Sequence, residues 1–357
     1  MTANDASGEM NPEVAEWMEL FDELLAQQDV PIYERPLRAA VMLTRSALVQ
    51  VRHQGVDELV EGTVGFGDLI RKPWFGRVVR MSDGWYTRIF GPAALRSPEP
   101  NALGVIMHRG AIQTFQIPLI ISQQAEVTYQ RWIAFPDHVE DSEDVLSWIE
   151  PALDREKIRK HELAALAEQA RRIAHSIRFI ASRARNASRG SDELVGLLGG
   201  TVRNLQTFAN LAVVGQWQER QKAWWELQMA NESFLKAFCL QKGRSGGYRR
   251  VHSLPVLVRN AQEHGLDFDL ARLAGWPTER DMSDHRYATG RRVSSGELFS
   301  AYEVTLSLCE AVASRLEVKF DTGKGRMLIQ PLPWRLKELK DEWSIEAMPI
   351  SPTSVVA

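Results

Sequence analysis

The period of the apolar positions changes several times along the chain, and each change suggests a different element. Asn11-Pro12 reads as an N-cap followed by a proline at the first helical position. Val14, Trp17, Phe21 and Leu24 then recur at helical spacing until Pro31. Pro36 opens a second helix with Ala40, Val41, Thr44, Leu48 and Val51 on one face, as far as a stop at Gly55. Over 62–136 glycines become frequent and β-branched or aromatic residues gather in short runs. Runs at 76–81 and 85–90 flank the hairpin-type dipeptide Asp83-Gly84, with a helix as the alternative before Phe90. Runs at 103–108 and 111–121 flank Arg109-Gly110. Val127, Tyr129, Arg131, Ile133 and Phe135 alternate as in a half-buried strand. A small antiparallel meander is expected, with Pro118 on an edge or at a bulge.

The helical period returns at 155–184, where Leu163, Leu166, Ala170, Ile173, Ile177, Ile180 and Ala184 form one seam. After a polar turn at 186–191, Leu194, Leu198, Thr201, Leu205, Phe208 and Ala212 form a second. Two seams joined by a short turn predict an αα-hairpin, a stalk between the parts on either side. The apolar phase slips near Gly215, where a break is expected. A Trp-rich helix at 223–238 follows, then a Gly/Arg loop at 242–250. His252-Ser253-Leu254 opens a helix that stops at Gly265. Arg286-Tyr287 precedes a last long helix from Ser294, which forms a capping box with Glu297. Runs at 318–320 and 326–330 bracket a turn at 321–325, read as a hairpin. The fold class expected is α+β and predominantly helical. Its parts are a disordered tail at 1–10, an N-terminal α+β domain with the meander at 11–150, the helical hairpin at 151–216, a helical bundle at 217–317, and a C-terminal hairpin and tail at 318–357, its last dozen residues disordered.

With 44% hydrophobic and 25% charged residues the chain falls in the ordinary soluble class. A net charge of -3 argues against a uniformly nucleic-acid-coating surface, so any such site must be a local patch. The first ten residues lack the pattern of a signal peptide, and no apolar run approaches the ~18 residues of a membrane span. Cys239 and Cys309 lie within predicted helices without ligand-type neighbours. Both read as small buried residues of a reducing compartment, so a cytoplasmic protein without membrane attachment is expected. Walker-type, His-Glu-x2-His, paired-Cys and nucleophile-elbow patterns are absent from the sequence, so neither a metal nor a cofactor is expected.

Positive charge is locally concentrated. Between Arg155 and Arg189 ten Lys or Arg face three Glu, an excess of seven. Arg171, Arg172, Arg178, Arg183 and Arg185 there, with Arg244, Arg249 and Arg250 of the Gly/Arg loop, are candidates for gripping phosphates. A solvated helix face opposite an apolar seam explains the same charges without a ligand. Trp224 and Trp225 read as core and interface.

In order, the parts from 221 to 316 resemble a HEPN domain, the helical nucleotide-binding and ribonuclease family. Arg259-Asn260-Ala261-Gln262-Glu263-His264 resembles the family's arginine, polar residue, spacer and histidine signature. The resemblance implies metal-independent RNA cleavage, in bacterial stress or anti-phage defence, by a homodimer with one composite cleft. Arg259 would hold the scissile phosphate, His264 would move a proton, and Asn260 would orient the pair. Catalytic relatives commonly carry the signature nearer the last long helix. Arg280 to His285 also fits the spacing. His252 and Arg286-Tyr287 resemble positions that brace loops in non-catalytic members. The alternative is a helical binding or assembly module without catalysis, contacting nucleic acid or a protein partner.

Overall fold

A computed structural model describes residues 12–46, 49–53, 56–58, 65–72, 74–95, 100–125, 131–187, 190–243, 247–320, 322–323, 325–329 and 343–347. Its helices are α1 (Pro12–Gln27), α2 (Arg35–Arg45), α3 (Phe66–Leu69), α4 (Phe75–Phe90), α5 (Lys160–Asn186), α6 (Asp192–Val213), α7 (Trp217–Gln241), α8 (Leu254–Gln262), α9 (Glu279–Arg286) and α10 (Ser295–Arg315). Its strands are β1 (Val49–His53), β2 (Val56–Glu58), β3 (Asn101–His108), β4 (Ala111–Pro118), β5 (Ile121–Gln124), β6 (Arg131–Ala134), β7 (Ile149–Glu150), β8 (Arg326–Ile329) and β9 (Trp343–Ala347). The fold is α+β and mostly helical. Strand orders are β2-β1-β9, β3-β4-β7 and β5-β6-β8. No helix among the described residues is long and apolar enough to cross a membrane.

Contacts divide the chain into two units, one of 1–99, 124–131 and 328–357, the other of 100–123 and 132–327. These limits differ from those expected at 150 and 216, because the β3–β4 hairpin shares its core with the helices that follow it.

In the first unit α1, α2 and α4 enclose Met18, Leu43, Phe75 and Tyr86. Its buried α1 stripe is Val14, Met18, Phe21 and Leu25, so Leu24 faces solvent. Asn11, the expected cap, lies outside the described residues. The helix ends at Gln27, before Pro31, with Asp29 in the left-handed region at φ 54°. α2 stops at Arg45 and the chain turns into β1, so the helix expected as far as Gly55 is shorter. The hairpin expected at Asp83-Gly84 is the helix α4 instead. Phe75, Val79, Ser82 and Tyr86 recur at helical spacing on its buried face, while Asp83 and Gly84 are exposed. Burial of that face outweighs the ~1 kcal/mol cost of a mid-helix glycine. Ser82 Oγ donates to the Pro36 carbonyl at 2.7 Å, tying α4 to α2.

In the second unit β3 and β4 form the expected hairpin, paired from Asn101↔Pro118 to His108↔Ala111. Arg109 (φ 50°) and Gly110 (φ 79°) make the two-residue turn, both left-handed as such tight hairpins require. Pro118 closes β4 at its C-terminal end. Gly104 is packed so closely that a Cβ would meet the Phe115 ring at 2.6 Å. The outer edge of β3 finds side-chain acceptors: Leu103 N–H donates to Gln206 Oε1 at 2.9 Å and Met107 N–H to Gln169 Oε1 at 2.8 Å. Of the strand expected over 127–135, residues 131–134 are described as β6 and 126–130 lie outside the described residues.

The seams of α5 and α6 are buried as expected, but not chiefly against each other. α6 lies along α7, α5 lies on α10, and both cover β3, so a stalk is not formed. The break near Gly215 is present, with φ 79°. Val318 bridges Ala187 at the end of α5, while β8 joins β6, so the hairpin expected around 321–325 does not form between those runs. The tail expected at 1–10 lies outside the described residues; of the last dozen, only Glu346 and Ala347 are described, in β9.

Arg178 has no solvent exposure. Its guanidinium grips both oxygens of Glu143 at 2.7 Å and donates to the carbonyls of Pro118 (2.9 Å) and His138 (2.8 Å). It also lies 5.1 Å from the Trp148 ring centroid. Burial by itself would raise the Glu143 carboxyl. The hydrogen bonds from Arg178 and the Glu140 N–H, with the charges of Arg178 and Arg171, outweigh it and hold that carboxyl below its ordinary value. Because this folded-state pKa is depressed, the ionised carboxylate contributes stability above pH 4.5 that is lost as pH falls further. Arg178→Met, which strands a largely buried carboxylate, should cost about 3–5 kcal/mol in urea unfolding at neutral pH. The loss should shrink below pH 4.5, where Glu143 can take up a proton. A loss under about 1 kcal/mol would show that the pair is not a structural anchor.

Candidate nucleic-acid interface

α7 is buried on nearly every side, so its polar side chains must find partners inside the bundle. Gln221 clamps the segment before α10: its Nε2 donates to the carbonyls of Gly290 (2.7 Å) and Arg291 (2.9 Å), and its Oε1 accepts from Gly290 N–H at 3.0 Å. Gln228, Glu232 and Lys236 follow at intervals of four, on one stripe. Gln228 Nε2 donates to the His252 carbonyl at 2.7 Å, and its Oε1 accepts from Trp276 Nε1 at 2.8 Å. Glu232 Oε1 meets Lys236 Nζ at 2.6 Å and His252 Nδ1 at 2.9 Å. Lys236 Nζ also donates to the Arg249 carbonyl at 3.0 Å. The stripe therefore fixes both segments that carry the later basic residues, 249–252 and 290–291. His252 thus reaches Glu232 from the segment that leads into α8. Glu232 and Lys236 were not singled out from the sequence, although the four-residue steps from Gln228 to Glu232 and on to Lys236 were a readable signal.

α8 begins after Ser253, with Pro255 in its first turn. It closes in a Schellman arrangement: Leu266 N–H donates to Ala261 O, Gly265 N–H donates to Gln262 O, and Gly265 has φ 87°. Ala261 and Leu266 are buried beneath it. Arg259 is exposed, while Asn260 and His264 are half-buried. Arg259 makes no ion pair or hydrogen bond through its side chain among the described residues, and no hydrogen bond joins it to Asn260 or His264. Arg259 lies within α8, whereas His264 lies past its end at Gln262, in the closing turn.

The basic residues separate into several environments. Arg178, fully buried in its pair with Glu143, cannot reach a phosphate, which corrects the expectation for that position. Arg171 donates to the carbonyls of Glu140 and Glu143. Arg172 pairs with Glu303 at 2.6 Å, and Arg249 pairs with Glu193. Arg183 and Arg185 lie over the rings of Phe179 and Phe135, at 5.2 Å and 5.4 Å. Arg155, Lys157 and Arg159 pair with Asp144, Asp154 and Glu162. Much of the excess counted along 155–189 is therefore balanced locally. Arg250 is exposed, and Arg244 lies outside the described residues.

His285, the other histidine that fits the arginine–histidine spacing, is a core residue. Its ring stacks on Trp224, with centroids 5.7 Å apart and planes within 3°. Trp224 is buried as expected, and Trp225 is half-buried. Cys239 and Cys309 are both buried thiols. The capping box of Ser294 and Glu297 is present, and hydrogen bonds from Ser294 and Arg291 pull the Glu297 carboxyl down to about 2. No protein-family model matches the chain, and no curated protein or solved structure matches it.

Burial, with the Arg291 charge adding to it, holds the His285 imidazole below its ordinary value of 6.5 against the pulls of Asp281 and Asp284. A depressed folded-state pKa means that the neutral ring contributes stability complete above pH 6.5 and lost as pH falls below it. His285→Phe keeps an aromatic face on Trp224 and does not titrate. It should flatten the decline of melting temperature just below pH 6.5, as read by circular dichroism, while an unchanged decline would assign the acid sensitivity elsewhere.

Proposed function

We propose that the chain is an RNA-binding protein of HEPN-like helical organisation, acting as a metal-independent ribonuclease in bacterial stress or anti-phage defence. Arg259 contacts the phosphate backbone, and Asn260 and His264 stand beside it on the same helix end. One observation carries this reading: Arg259 is an exposed arginine without an intramolecular partner among the described residues, whereas Arg171, Arg172, Arg178 and Arg249 are engaged. Cleavage requires the charge of Arg259 on the scissile phosphate and proton transfer by His264. With no hydrogen bond joining these two side chains, a cleft completed by a second copy would bring Arg259 of one protomer to His264 of its partner. The same lack of contact within one copy favours a second reading, a helical binding or assembly module that grips its partner without cleaving it.

Labelled RNA incubated with the full chain in a metal chelator separates the two. Under the first reading cleavage occurs, and His264→Ala lowers its rate at least ~100-fold without altering the melting temperature. Arg259→Ala weakens RNA binding and reduces the salt slope by about one. Salt-dependent binding without cleavage supports the second reading, and absence of both binding and cleavage removes the RNA assignment.

A further inference from the structure

We infer that Trp225, Arg286 and Tyr287, extended by Trp217 and Arg292, form a stacking platform for the unpaired bases of single-stranded RNA. The inference deepens the RNA-binding reading and rests on it, but does not require cleavage.

Trp217 and Trp225 leave α7 eight residues apart, about 12 Å along its axis. Each carries an arginine on its ring. Arg286 lies 5.4 Å from the Trp225 centroid, and Arg292 lies 5.9 Å from that of Trp217. Arg286 also lies 5.5 Å from the centroid of Tyr287, so one guanidinium touches two aromatic rings. Tyr287 is 67% exposed, far more than packing of a tyrosine requires. Arg286 and Arg292 are exposed and form no ion pair among the described residues, so their charge is left for a ligand. Two nearby carboxylates are already engaged: Glu297 accepts from Arg291 and Asp281 from Thr278.

The position of the tyrosine is fixed from below. Its N–H donates to the Ser283 carbonyl at 3.3 Å as α9 ends, and Gln221 clamps Gly290 three residues on. A ring held in this way, beside an uncompensated guanidinium, combines the two features that single-strand binders use. Those features are an aromatic face for a base and a positive charge for the adjoining phosphate. Bases within a duplex already stack on one another, so the platform selects unpaired ones.

Fluorescence anisotropy with a labelled decauridylate, and with a labelled duplex of the same length, tests the assignment on the full-length protein. The single strand should bind more tightly than the duplex at equal salt. Tyr287→Ala should weaken that binding at least about tenfold, and Arg286→Glu should weaken it further, with circular dichroism melts confirming that both variants fold. Single-strand binding that Arg259→Ala weakens and Tyr287→Ala leaves within twofold overturns the platform while the RNA-binding reading stands. Preference for the duplex overturns it likewise. Binding to neither probe overturns both.

Discussion

A helix with almost no wet face imposes a rule on its sequence: each polar atom it carries must be matched inside the protein. α7 meets that demand at Gln221, Gln228, Asn231, Glu232 and Lys236, all buried, and leaves the buried Trp224 indole N–H without a partner among the described residues. Asn231 Nδ2 donates to Thr305 Oγ1 at 3.0 Å, joining α7 to α10, while the others take up backbone or side chains of connecting segments. One such hydrogen bond adds about 1 kcal/mol, but a buried partner left unmatched costs more, so the stripe specifies which segment docks where. The Glu232–Lys236 pair belongs to the same logic. Its net stabilisation is modest because both charges leave water, yet removing one partner would strand the other. The loops that carry Arg249 and His252, and those that carry Tyr287 and Arg292, are held through the helix between them.

Arg178 plays the corresponding part on the sheet side. Its guanidinium makes four hydrogen bonds, two to a carboxylate and two to carbonyls, from a planar fork that a lysine could not reproduce. It ties the end of β4 and the 138–143 segment to α5. Arg171 and Arg172 of the same helix are likewise directed at carbonyls and a carboxylate of neighbouring segments. Arginines laid on rings differ, because a ring face leaves their charge uncompensated: Arg183 and Arg185 on α5, and Arg286 and Arg292 on the tryptophans of α7.

Much of the architecture was legible from local pattern. The α5 and α6 seams, the Arg109-Gly110 hairpin, the Gly215 break, the Gly265 stop and the capping box at Ser294 all follow from periodicity and from residues suited to one backbone conformation. Asp83-Gly84 misled because local turn preference was overruled by the burial of Phe75, Val79, Ser82 and Tyr86. The phosphate-gripping face expected around Arg155 to Arg189 misled for another reason. Glu143 and Glu303 lie outside the window in which its charges were counted, and ion pairs between distant segments leave no local trace. Exposure of Arg259 was consistent with its place near a helix end, but the directions of Arg259 and His264 depend on where α8 stops. The stacking of His285 on Trp224 brings together residues 61 positions apart (285 − 224), beyond the reach of spacing rules.

The glutamine amides against β3 have a bearing on behaviour at high concentration. An outer strand whose N–H groups are open invites another chain to add on, the first step toward swapped or fibrillar species. Gln169 and Gln206 occupy two of those groups with side chains rooted in covering helices. Recruitment of a foreign strand at β3 would therefore require peeling helix from sheet, which disfavours association of copies through this edge.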